Sequence, residues 1–194
     1  MTEALPGGPA LRMVLMAARS EAERAGSRDV QAEHVLLALA DQAASAAGTV
    51  LAAAGLDRPG VLAALQRERE RSLAAIGMAP PERDRLGATR LPSTPGWGAS
   101  TREALVAAHK AQHAALHTGQ SGRRTGREQR PERGGHADHR GTRGGHRSRG
   151  GADAIDLLIG VLVAELGTVP RALALAGIDR ASLLESARQR RREA

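Results

Sequence analysis

Cysteine is absent from this 194-residue chain, which excludes a disulfide framework and any thiolate-held metal. Phe and Tyr are absent too, and Trp97 is the one aromatic residue. A core must therefore be assembled from Ala, Leu, Val, Ile and Met. These pack helices closely but bury modest area each, so ordinary or marginal stability is expected. No apolar run approaches the roughly 20 residues that a membrane-spanning helix needs. Met1 to Arg12 carries Glu3 and two glycines where a secretory signal would have a basic stretch and an apolar centre, so a cytoplasmic protein is expected. There is no nucleophile elbow, no H-E-x-x-H and no G-x-x-x-x-G-K-[ST] phosphate loop. Neither an enzyme nor a cofactor is expected.

The net charge of +7 resembles a nucleic-acid footprint until it is located. Between Gln120 and Gly150 stand nine Arg against Glu128, Glu132 and Asp138, so that segment holds +6 of the +7. With eight Gly there and almost nothing apolar, it cannot offset the entropy of ordering, and a disordered insert over about 119–151 is expected. Arg123, Arg124, Arg127, Arg143 and Arg147 are its candidate polyanion-binding residues, acting through counterion release. The lack of an aromatic residue to stack on bases weakens that reading.

Elsewhere the pattern is helical. Leu11, Val14, Leu15, Ala18 and Ala22 fall on one helix face, and Gly26 suits its end. Val35, Leu36 and Leu39 give a second helix its apolar face over about Gln31 to Ala40. A third, over about Ala43 to Ala54, stops at Gly55, and Asp57 is a natural N-cap for a fourth. Residues 77–99 are Pro- and Gly-rich without periodicity and read as a linker. Ser100 and Glu103 then form an S-x-x-E capping box ahead of Ala104 and Leu105.

Internal repetition is the most informative feature. Ala54-Gly55-Leu56-Asp57-Arg58 returns as Ala176-Gly177-Ile178-Asp179-Arg180, an offset of 122. At the same offset Leu36, Leu37, Leu39 and Leu51 fall on Leu158, Ile159, Val161 and Leu173, and Leu62 on Leu184. The opening helix repeats at an offset of 90: Arg12, Leu15, Ala17 and Ala18 fall on Arg102, Leu105, Ala107 and Ala108. The offsets differ by 122 less 90, or 32 residues, which puts an insertion of that length between the first and second helices of the second copy. That is where the Arg-rich segment lies. The expected architecture is all-α: two tandem four-helix repeats, 11–76 and 100–192, packed as one pseudo-twofold domain.

The run Ala22-Glu23-Arg24-Ala25-Gly26, then Val30-Gln31-Ala32-Glu33-His34-Val35-Leu36-Leu37-Ala38-Leu39, resembles the Clp N-terminal repeat. In that family a Gly ends helix one and G-T-E-H opens helix two. Leu51-Ala52-Ala53-Ala54-Gly55-Leu56-Asp57 is similar to its turn into helix four. The resemblance implies the adaptor- and substrate-docking domain of ClpA- and ClpC-type unfoldases, here without ATPase modules. It implies partners from the Clp proteolysis system and a monomer. In some members the Thr and Glu of the motif recognise phosphorylated arginine. Carried over, the candidate partner-binding residues are Glu33 and His34 in the first copy and Asp156 in the second. Ala32 replaces the Thr, and the second copy reads Asp153-Ala154-Ile155-Asp156, losing the Glu as well. That argues against phosphoarginine as the ligand. A first-turn acid stabilising its helix is the simpler reading of Glu33.

Two further clusters carry titratable side chains. His109, His113 and His117 share one helix face, and His136, His139 and His146 lie in the insert, but no acidic residue stands among the helical three. A solvated face is the better reading, and no metal is expected. Glu33 and His34 are neighbours pointing to different faces, so they form no catalytic dyad.

Overall fold

The computed structural model describes residues 8–79, 94–121 and 152–193, with side chains of the first long helix of the second copy described through residue 114. The elements run α1 (Pro9–Arg24), β1 (Asp29–Val30), α2 (Ala32–Asp41), α3 (Ala46–Ala53) and α4 (Arg58–Ala75). Then follow β2 (Gly96–Trp97), α5 (Ala99–Ser121), α6 (Ala154–Val163), α7 (Thr168–Leu175) and α8 (Arg180–Glu193). Helices α2, α3 and α4 lie 122 residues ahead of α6, α7 and α8 at their first residues, and α1 lies 90 ahead of α5.

Each start and stop has a local cause. Pro9 opens α1, where its missing N–H costs nothing, and Leu11, Val14, Leu15, Ala18 and Ala22 are buried as the periodicity requires. Ser45 Oγ accepts from Gly48 N, and Asp57 Oδ1 from Gly60 N, capping α3 and α4. The repeated turn is the same in both copies. Gly55 and Gly177 each adopt φ +72°, which lets Leu56 N reach Leu51 O and Ile178 N reach Leu173 O, both at 2.9 Å or less.

Helices α2 and α6 form the centre. Apart from Glu33, every residue from Ala32 to Ala40 is buried, as is all of α6 from Ala154 to Leu162. Burial all round, rather than on the one face expected for α2, follows from packing against most of the other helices. Exchanging the copies maps α1–α2 onto α5–α6, α2–α4 onto α6–α8, α4–α7 onto α3–α8 and α2–α7 onto α3–α6. The fold is therefore all-α with the two repeats interleaved about a pseudo-twofold, as expected. Among the described residues no single helix is long and apolar enough to cross a membrane.

The closest seam is α5 against α6. A Cβ on Gly160 would sit 2.1 Å from Ala104 O, so the helices meet backbone to backbone. Gly160→Ala is expected to force them apart and cost about 1–3 kcal/mol, read as a lowered urea midpoint at unchanged slope.

The junction between copies adds one element and corrects one expectation. Gly96 and Trp97, inside the stretch read as a linker, form β2, pairing in parallel with β1 in the register Asp29 to Gly96 and Val30 to Trp97. Arg19 of α1 stacks over the Trp97 ring at 5.0 Å from its centroid. Ser100 does not cap its own helix, because it lies inside α5. Its Oγ instead accepts from Ala32 N at 2.9 Å and donates to Gln31 Oε1 at 2.6 Å, satisfying the start of α2. Thr101 Oγ1 adds a bond to Val30 O at 2.7 Å. The second copy thereby holds the first copy's central helix.

Candidate functional site: a groove in the first repeat

Where α1 ends, α2 begins and the first half of α4 passes, an open groove of about 550 Å³ reaches across to Thr168 at the N-terminus of α7. Leu37, Leu62 and Leu65 make its apolar wall, and Glu33, His34 and Arg69 line its polar side. Leu62 is 46% exposed, while Val61 and Ala64 beside it on α4 are in the core.

Its floor is an ion-pair network. Glu21 of α1 is buried, and Arg58 of α4 grips both its oxygens, Nη1 to Oε1 at 2.9 Å and Nη2 to Oε2 at 3.2 Å. Arg24 also donates to Glu21 Oε1. Burial pushes the Glu21 carboxyl up, but the two guanidiniums outweigh it and hold the group below the usual carboxylate range. Its bond to Glu21 raises the Arg58 guanidinium in turn. Beyond them Arg171 of α7 and Ser72 bind Glu68 Oε1 at 2.7 and 2.8 Å, tying α4 to the second repeat. These acids are spoken for. Glu33, by contrast, makes no side-chain hydrogen bond or ion pair among the described residues, nor does Arg69. The groove thus offers one unpaired charge of each sign beside exposed leucine.

His34 is 6% exposed, and its Nδ1 accepts from Gln31 N at 2.9 Å, capping α2 from its third position. An accepting Nδ1 places the neutral ring's proton on Nε2. Burial holds the imidazole below its ordinary pKa, although Glu33 and Glu21 pull the other way.

Asp156, the counterpart of His34, occupies the same cap but not a surface. Its Oδ2 accepts from Asp153 N at 3.1 Å, while Asp153 Oδ1 accepts from Ile155 N and Asp156 N. The residue is fully buried and its Oδ1 receives Arg191 Nε at 2.7 Å. Nothing of it is open to a partner. Around it, Ile155 replaces Glu33 and is buried, Ala187 replaces Leu65 and is buried, and Leu184 packs on the core where Leu62 stands clear of it. At these positions, among the described residues, the second repeat fills space that the first keeps open. Arg180, the counterpart of Arg58, forms no ion pair among the described residues, since Ala111 and Val163 stand where Glu21 and Asp41 do. It donates instead to Leu162 O at 2.7 Å, at the electronegative end of α6.

The Glu21–Arg24–Arg58 network was not singled out from the sequence. The signal was available in the repeat alignment, where Glu21 is replaced by Ala111 while Arg58 keeps its Arg180. Arg123, Arg124, Arg127, Arg143 and Arg147 lie outside the described residues, as do His136, His139 and His146. His109 is half-buried and His113 exposed on α5. Among the described residues no three His, Asp or Glu side chains converge as metal ligands.

The helical repeats, their capped turns and the groove at the start of α2 define an all-α repeat domain with an open site in its first copy. The family model of the Clp repeat (R) N-terminal domain matches residues 9–120, more than half of the chain, and the protein belongs to that family. The match takes in the first repeat and α5. The remaining helices follow by the offset of 122 shared by their counterparts. A comparison with curated proteins finds no match.

Proposed function

We propose that this protein is a single-groove docking module that receives a segment of a Clp adaptor or substrate protein between α2 and α4. The observation that carries the reading is the pairing of exposed Leu62 with the unengaged charges of Glu33 and Arg69 in one concave site. An apolar anchor with a charged rim is how protein segments are held. Membership of the Clp repeat family supports a partner from that system. Such a module works in the cytoplasm as a monomer and without chemistry of its own.

The test is capture from native extract by the tagged full chain, at low and high salt, beside Glu33→Lys. Clp subunits, adaptors or substrates held by the wild type at high salt and lost from Glu33→Lys are the expected result. Retention of nucleic acid alone, removed by salt and by deletion of residues 122–151, would assign the function to the Arg-rich segment instead.

A further inference from the structure

We infer that His34 is a proton-operated latch that couples the groove to the second repeat. This rests on the docking reading for its purpose, not for its test. The chain of contacts is continuous. His34 lines the groove, its Nδ1 holds Gln31 N, and Gln31 Oε1 receives Ser100 Oγ, which in turn receives Ala32 N. A few residues away β1 and β2 are joined by Gly96 N to Arg28 O at 3.0 Å and Gly98 N to Val30 O at 2.9 Å. One imidazole nitrogen therefore stands at the end of the path linking the docking wall to the first turn of α5.

Protonation must occur at Nδ1, because Nε2 already carries hydrogen. A donor would then face the Gln31 N–H, and the cap bond cannot survive. The charged groups sharing the groove are Glu21 and Arg24 from α1, Glu33 from α2, and Arg58, Glu68 and Arg69 from α4; α7 contributes the uncharged Thr168. Glu21 and Glu68 are already matched to Arg58, Arg24 and Arg171, so the attraction of Glu33 and Glu21 for the new cation does not outweigh its burial. The imidazole pKa is lowered accordingly.

The second repeat supplies the control. Asp156 makes the same cap with an acceptor-only group, so that repeat lacks the imidazole device. The latch is thus a property of one copy: at the equivalent positions Asp156 replaces His34 and Asp153 replaces Gln31.

For a group whose folded pKa lies below its unfolded value, the unfolded chain binds the proton more readily. The contribution of His34 is therefore present above the ordinary histidine range and lost as pH falls through it. The experiment is amide hydrogen exchange by NMR on the full chain, without a partner, from about pH 7.5 to about pH 5.5, each rate corrected for intrinsic exchange. Protection of the Gln31 and Ala32 amides should fall roughly tenfold over that range, while Asp153 and Leu157 hold theirs. His34→Asp, which imports the second repeat's cap, should abolish the fall, and neutral His34→Asn should do the same if added charge beside Glu33 unsettles the first variant. Wild-type protection that is flat with pH, or an equal fall in both variants, overturns the latch. Because no ligand is used, either result leaves the docking reading to its own capture test.

Discussion

Arg191→Ala is expected to destabilise the fold by about 3 kcal/mol at neutral pH, enough to move Tm by several degrees. Asp156 sits at the N-terminus of α6 with its side chain 1% exposed, and among the described residues Arg191 is its one cationic partner, at 2.7 Å. Removing that guanidinium leaves a buried carboxylate with only the Asp153 amide. Burial already raises the Asp156 pKa, with Arg191 and the amide pulling it down. Since the folded pKa lies above the unfolded one, this group favours the native state most at low pH and loses that contribution as pH rises through the folded value. In Arg191→Ala the folded pKa rises further. The penalty relative to wild type should therefore shrink as pH is lowered and the carboxyl takes a proton. Urea melts of both proteins at neutral and mildly acid pH measure this. A penalty that stays constant with pH would mean that Arg191 acts through packing of α8 alone.

How much of this was legible beforehand follows from the range of each interaction. Helices and their turns are local. Gly55 with Asp57, and Gly177 with Asp179, are set by neighbours within a few residues, so pentapeptides that differ only in Leu56 against Ile178 announced equivalent turns. The burial of α2 was legible only in part: one face, Val35, Leu36 and Leu39, was expected, and its other positions are covered by helices that arrive from the second copy. By contrast, β1 and β2 hold two residues each, too few to show a period of two. Ser100 matched a capping signature perfectly well but was taken by Ala32 N, 68 residues away. Local patterns do not reveal when a distant donor competes for the same hydroxyl.

The site was half legible for a similar reason. Glu33 and His34 were found from their place in a motif, and the structure brings them to one groove with Leu62 and Arg69. Asp156 was carried over from the same motif and points inward. Equivalent position kept its capping role, while the side chains around it changed from open to closed. Alignment preserves the backbone role of a residue; exposure depends on neighbours such as Ala187 and Arg191 that arrive from another helix. The basic insert contributes nothing to this comparison, because residues 122–151 lie outside the described structure.

The asymmetry between repeats leads to the second large effect. Had both copies kept a groove, disabling one would leave half of the capacity. Here Leu184 packs on the core, Ala187 is buried in it and Arg191 lies against Asp156, where the first copy presents exposed Leu62, part-buried Leu65 and unpaired Arg69. A partner obtained by capture should bind one per chain, as measured by calorimetry with the purified proteins. Leu62→Glu places a charge where the anchor sits and should weaken binding at least thirtyfold, the loss expected for a central interface residue worth about 2 kcal/mol. It should leave Tm nearly unchanged, because Leu62 is 46% exposed and outside the core cluster. Arg188→Glu, at the place in the second repeat that matches Gln66 in the first, should leave affinity and stoichiometry intact. Two partners per chain, or retention of half the sites in Leu62→Glu, would mean that α8 opens away from α6 and that the Asp156–Arg191 contact yields to a ligand. A single site abolished by one exposed leucine would instead make closure of the second repeat the feature that sets the valence of this domain.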